Sequence, residues 1–211
     1  MKRLSILLSL LLTTNILFSQ IAESPQTEKL NLNKAERLEW FKDLGFGMFV
    51  HFSFDSQLGV VISHSMVGAS NDYLNRYVNE LPKTFNPKDF DALEIATLAK
   101  LAGMKYIVFT TKHHSGFCMW DTETTDFNIM NTPYGKDMVA EYVKATRDAG
   151  LAVGFYFSPE DFNFLYENGQ EVRRRFTKPI PEHVMKKYLE LNELQNMDLM
   201  SKYGDIDIVF Y

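Results

Sequence analysis

Four short apolar runs punctuate the chain, and stretches with helical spacing lie between them. "GFGMFVHF" starts at Gly45, "KYIVFTT" at Lys105, "LAVGFYFS" at Leu151 and "DIDIVFY" at Asp205. Each is near-continuous in hydrophobic residues and bounded by turn formers, the pattern of a strand covered on both faces. The expected strands span about 46–51, 106–111, 152–157 and 206–211. Three amphipathic segments, "FDALEIATLAKLAG", "KDMVAEYVKATRDAG" and "PEHVMKKYLELNELQNMDLMSKYG", read as helices. Each is closed by a glycine, and the third opens on a proline. A shorter helix is expected in "NKAERLEWFKDLG". Residues 53–86 lack periodicity and read as a long loop with one short helix, and "EDFNF" as loop. Strand–helix alternation of this kind means a parallel sheet.

Two architectures compete. An open doubly wound sheet would carry a glycine-rich phosphate turn after a strand, and none is present. A (β/α)₈ TIM barrel needs about 250 residues, whereas four strands are expected here. The expectation is therefore an α/β chain, a (β/α)₈ barrel truncated after about four strands.

Composition narrows the function. The chain has 211 residues, 45% of them hydrophobic, which suffices for one sizeable core. A net charge of -5, with no basic patch longer than "RRR" at Arg173–Arg175, argues against nucleic acid as a partner. The 17 Phe, 10 Tyr and 2 Trp suit a thick core or a site that stacks on flat apolar faces such as sugar rings. The start, "MKRLSILLSLLLTTNILFSQ", has a basic tip and an apolar run too short to span a bilayer. It reads as a signal peptide over residues 1–20, cut near Ser19 or Gln20, with 21–211 as the exported domain and no stable membrane anchor. The single cysteine, Cys118, rules out an internal disulfide.

Only five histidines occur, and two are adjacent, His113 and His114, directly after the second strand. In parallel α/β folds, ligands bind at the C-terminal ends of strands. The first strand ends on His51, the second on the doublet, and the third brings Tyr156, Ser158, Glu160 and Asp161. Neighbouring strand residues point to opposite faces, so the doublet can share a site only where the strand has already broken into loop, as Gly116 permits. Two chemistries fit these groups. Three imidazoles could hold a catalytic zinc. Alternatively, each could hydrogen-bond a polyhydroxylated substrate through its one donor and one acceptor. Phe117 and Trp120 would then serve as an apolar wall or as core.

Four stretches, "LGFGMFVHFS", "FNPKDFDALEIATLAKLAGMKYIVFTTKHHSGFCMWDTETTDFNI", "GLAVGFYFSPED" and "YGDIDIVFY", resemble glycoside hydrolase family 29, the α-L-fucosidases. The resemblance runs from about Trp40 to Tyr211. It implies a barrel catalytic domain followed by a β-sandwich, and retaining hydrolysis of terminal α-L-fucose from glycans without a metal or other cofactor. It implies that His51, His113, His114 and Tyr156 hold the sugar. The nucleophile is expected directly after Tyr211, so the chain would carry neither nucleophile nor acid/base. The family's "EWY" loop corresponds here to "SNDYLNRY", with Asn71 or Asp72 in place of the Glu-Trp pair; Asp72 is the candidate sugar contact. The family's acid after the third strand is represented by "SPEDF", that is, by Glu160 or Asp161. A sugar-binding, non-catalytic relative and a metal-dependent barrel hydrolase are the alternatives.

Overall fold

In a computed structural model of the chain, residues 33–173 and 178–211 are described. The leader expected over residues 1–20 lies outside them. Helix α1 (Ala35–Leu44) belongs to the N-terminal unit as far as Lys42 and carries local contacts there, Arg37 over the Trp40 ring and Lys42 on Glu39.

From Asp43 onward the chain alternates as the apolar pattern predicts. Strand β1 (Met48–Val50) is followed by α2 (Asn71–Asn79) and α3 (Ala92–Leu101), then β2 (Tyr106–Lys112), α4 (Met138–Asp148) and β3 (Ala152–Phe157). After these come α5 (Phe162–Glu167), α6 (Glu182–Lys202) and β4 (Ile208–Phe210). Asp91 and Asp137 cap α3 and α4 by accepting the Glu94 and Ala140 amides, which would otherwise lack partners. All pairings are parallel, in the order β1-β2-β3-β4. That sequential order is the order of a barrel wall, and it excludes the doubly wound alternative, whose strand order reverses at a switch point.

One face of the sheet packs on helices. Ile107, Phe109, Val153 and Phe155 are buried there, with the Phe109 ring stacked on Tyr142 of α4 at 4.9 Å. On the opposite face Phe49 and Phe210 remain exposed. Val209 and Tyr211 alternate to the helix side, where they are exposed at the edge and the Tyr211 ring meets Phe157. Residues 53–86 contain more structure than their sequence suggests. Phe54 stacks on Phe117 at 4.4 Å and meets Tyr77 of α2 edge-on at 5.0 Å, so the segment is anchored by aromatic packing. Beside Phe54 the buried Asp55 accepts a hydrogen bond from the Tyr77 hydroxyl (2.9 Å), which also bonds Ser65 (2.8 Å).

Burial pushes the Asp55 carboxyl up, and hydrogen bonds led by those from Ser65 and Tyr77 oppose the shift only in part. A pKa raised by folding means that the protonated form favours the native state. The contribution is full below the unfolded pKa of about 3.9 and is lost as pH rises through the folded value. The stability of Asp55→Asn relative to wild type should therefore increase as pH is raised from about 3 to about 7. Urea unfolding across that range measures it, and a pH-independent difference would refute the assignment.

Candidate functional site

Register decides which side chains meet. Thr110, Tyr156 and Phe210 are paired across β2, β3 and β4, and Val50 pairs with Phe109, so His51 follows Val50 as Thr110 follows Phe109. Registered residues share a face. His51, Thr110, Tyr156 and Phe210 thus form one row at the C-terminal ends of the strands, above a row of Phe49, Val108, Gly154 and Ile208. The His51 ring lies 5.2 Å from Tyr156 and stacks on Phe49 at 4.4 Å. Its Nδ1 is 3.0 Å from the Thr110 hydroxyl, which itself donates to the Val50 carbonyl at 2.9 Å. Burial lowers the His51 pKa and so favours the neutral ring.

The doublet joins this row through an irregularity. The β2–β3 register shifts between Thr110 and Lys112, and the strand ends there. A bulge of this kind re-aims the side chains that follow it. His113 lies 5.3 Å from His51 and 5.1 Å from Tyr156, and the two rings of the doublet are 4.3 Å apart. The His114 amide donates to His113 Nδ1 at 2.8 Å. His114 Nδ1 bonds the Ser158 hydroxyl at 2.5 Å and lies 3.5 Å from Glu160. Four rings from three successive strand ends are therefore gathered in one place.

The doublet rests on a buried ion pair. Lys112 has no exposed surface. Its ammonium donates to Gln195 of α6 at 2.8 Å, lies 3.4 Å from the Asp161 carboxylate, and stands over the Phe157 ring. Asp161 also caps α5 by accepting the Phe164 amide at 2.8 Å. Gly116 lets the carboxylate approach: its φ is +88°, and a Cβ there would fall 2.1 Å from Asp161 Oδ1. Three backbone bonds then tie the loops together, Ser158 N–H to Lys112 O, Phe162 N–H to His114 O and Asn163 N–H to Ser115 O.

Two sequence candidates stand elsewhere. Trp120 is fully buried, and its indole N–H donates to Asp198 at 3.0 Å, so it offers no face to a ligand. The expectation of an apolar wall there is corrected to core, because the Trp120 ring packs inward with Phe117 and Met119 in the core cluster. Asp72 is exposed on the first turn of α2, and no hydrogen bond joins it to the histidines among the described residues. Of the two acids after β3, Asp161 is committed to Lys112 and the α5 cap, and Glu160 is the one beside His114. Sequence reasoning named Ser158 among the strand-end groups but missed Thr110 and Lys112 as partners of the site.

A family model described as alpha-L-fucosidase matches residues 13–211. Alpha-L-fucosidase 1 of Arabidopsis thaliana is 31% identical over 209 residues, covering 91% of this chain and 34% of the plant protein. The solved structure of alpha-L-fucosidase isoenzyme 1 from Paenibacillus thiaminolyticus superposes with a TM-score of 0.65 at 34% identity, over 82% of this chain and 42% of that one. A Bacteroides thetaiotaomicron alpha-L-fucosidase, solved as a trapped covalent intermediate with 2-fluoro-fucosyl fluoride, gives a TM-score of 0.65 at 28% identity, over 82% and 40%. The chain spans between a third and a half of the length of these relatives.

The ion pair beneath the doublet makes a stability prediction. Asp161→Ala leaves the Lys112 ammonium buried without its counter-charge and should cost about 3–5 kcal/mol. The double variant Lys112→Met, Asp161→Asn removes the charge as well and should recover much of that loss. Urea unfolding of both separates the effects. A single variant within about 0.5 kcal/mol of wild type would show that the pair carries no such constraint.

Proposed function

Because the chain belongs to the α-L-fucosidase family, we propose that the protein carrying it is a retaining exo-glycosidase that removes terminal α-L-fucose from glycans. The observation that carries this reading is the cluster of His51, His113, His114 and Tyr156 at the strand ends. Imidazole and phenol groups supply directional hydrogen bonds to hydroxyls, and Phe49 and Phe210 border them with apolar rings suited to the sugar's C–H faces. Holding the sugar in this way orients its anomeric carbon for in-line attack, and such positioning is a large part of a glycosidase's rate enhancement.

Retention requires two carboxyl groups about 5–5.5 Å apart, one acting as nucleophile and one as acid/base. The covalent intermediate trapped on the Bacteroides relative supports the nucleophilic route. The resemblance puts the nucleophile directly after Tyr211. The residue two positions beyond Phe210 would share its face and stand one row beyond Tyr156 and His51, level with Ser158. Export to the periplasm or the outside is part of the proposal, supported by the basic-then-apolar pattern of residues 1–20. Among the described residues, no helix is long and apolar enough to cross a membrane.

In the full-length protein, His113→Ala and His114→Ala should each lower kcat/KM on a nitrophenyl α-L-fucoside by roughly 5- to 150-fold, a loss of about 1–3 kcal/mol in transition-state binding. Thermal unfolding should be little changed. Wild-type kinetics in both variants would sink the sugar-holding role. Turnover that tracks stoichiometric zinc would favour a metal-dependent hydrolase instead, and fucose binding without turnover a non-catalytic relative.

A further inference from the structure

Hydrogen bonds around the doublet fix the protons on its rings. His113 Nδ1 accepts the backbone N–H of His114 at 2.8 Å. A backbone amide only donates, so Nδ1 carries no proton and a neutral His113 bears its hydrogen on Nε2. The Ser158 hydroxyl has three partners and a single proton. It accepts the Glu160 N–H at 3.1 Å and lies 3.3 Å from the Glu160 carbonyl, which can only accept. His114 Nδ1 is its third partner. All three bonds are satisfied together only if Ser158 donates to the carbonyl and His114 donates from Nδ1. The Glu160 carboxylate, 3.5 Å from the same nitrogen, reinforces that assignment, because an anion beside an N–H is attractive and beside a lone pair repulsive.

We propose that Glu160 and Ser158 are positioning residues that hold His114 as the Nδ1–H tautomer, opposite to His113, so that the doublet presents an acceptor beside a donor. His51 follows the same logic. The Thr110 proton goes to the Val50 carbonyl, which leaves His51 to donate from Nδ1 and to accept at Nε2. The three rings then offer acceptor, donor and acceptor at their Nε2 atoms. The ligand this pattern recognises has neighbouring hydroxyls, of which one accepts from His113 and another donates to His114. That selects for intact hydroxyls over ethers or esters at the His114 position, since an alkylated or acylated oxygen has no proton to give. The inference rests on the sugar-holding reading for its ligand, but not for its tautomers.

The test is long-range ¹H–¹⁵N correlation spectroscopy of the ¹⁵N-histidine-labelled full-length protein, without ligand. It is run at a pH well above the ordinary imidazole value of about 6.5. Signals are assigned with single His→Gln variants. His113 should show a protonated Nε2 and a pyridine-like, downfield Nδ1, and His114 the reverse. In Glu160→Ala and Ser158→Ala, His114 should move toward the Nε2–H pattern while His113 stays as it was, and a general loss of structure would disturb both. Wild-type His114 in the Nε2–H form overturns the proposal without recourse to any variant. So does an unchanged His114 in both variants. Titration with free L-fucose is a separate readout. Opposite tautomers without any fucose-induced shift would leave this inference standing and count against the sugar-holding reading alone.

Discussion

Lys112 ends β2 with its ammonium sealed from water, and that constraint organises everything above it. A buried cation needs partners with good geometry. Here they arrive from the loop after β3 and from α6, at 49 and 83 positions' distance along the chain. Once Asp161 must reach Lys112, the start of α5 is fixed, because the same carboxylate caps that helix. Gly116 must then be glycine-like in conformation and in bulk, since the carboxylate occupies the space a side chain would take. The histidine loop and the β3 loop are held to one another through this point. The rings of His113 and His114 inherit a rigid base although they lie outside regular structure.

The row of His51, Thr110, Tyr156 and Phe210 shows how a parallel sheet divides its labour. The same strands that bury Ile107, Phe109, Val153 and Phe155 against helices present polar and aromatic groups on the other face, simply through the two-residue alternation of side chains. Thr110 links the two functions. Its hydroxyl closes on the β1 backbone and at the same time orients the His51 ring. A strand ending in a regular register would have sent the doublet's side chains to opposite faces. The shift after Thr110 removes that obstacle.

The strands were legible because each is a continuous apolar run, and β3 matches its expected span of 152–157. The long helices were legible because glycine ends them and aspartate begins two of them. The site's histidines could be located because strand ends have a fixed meaning in this class of fold. Helix α2 was harder to read: only Leu74 and Tyr77 of its nine residues are buried, too few for a clear periodicity. Helix α5 was hidden in "EDFNF", where a single turn leaves little pattern. Trp120 misled because an indole near a site looks the same in sequence whether it faces a ligand or the core. The difference lies in Asp198, a partner far along the chain. Lys112 looked like the first residue of a loop, because no local signal announces a buried ion pair.

The sequential pairing of β1 to β4 also bears on how the chain is made. Each strand hydrogen-bonds only to its neighbours in sequence, so no pairing has to open for the next strand to join. On a ribosome adding about 5–20 residues per second, β3 would follow β2 by roughly two to ten seconds. The sheet can therefore grow in the direction of synthesis, always from its newest edge. During that interval the ring of Phe49, which later packs on Tyr156 and Phe210 and stays partly exposed, faces the surroundings rather than a partner. A ring that would line the mouth of the finished fold is thus the surface most in need of a chaperone while it is being assembled.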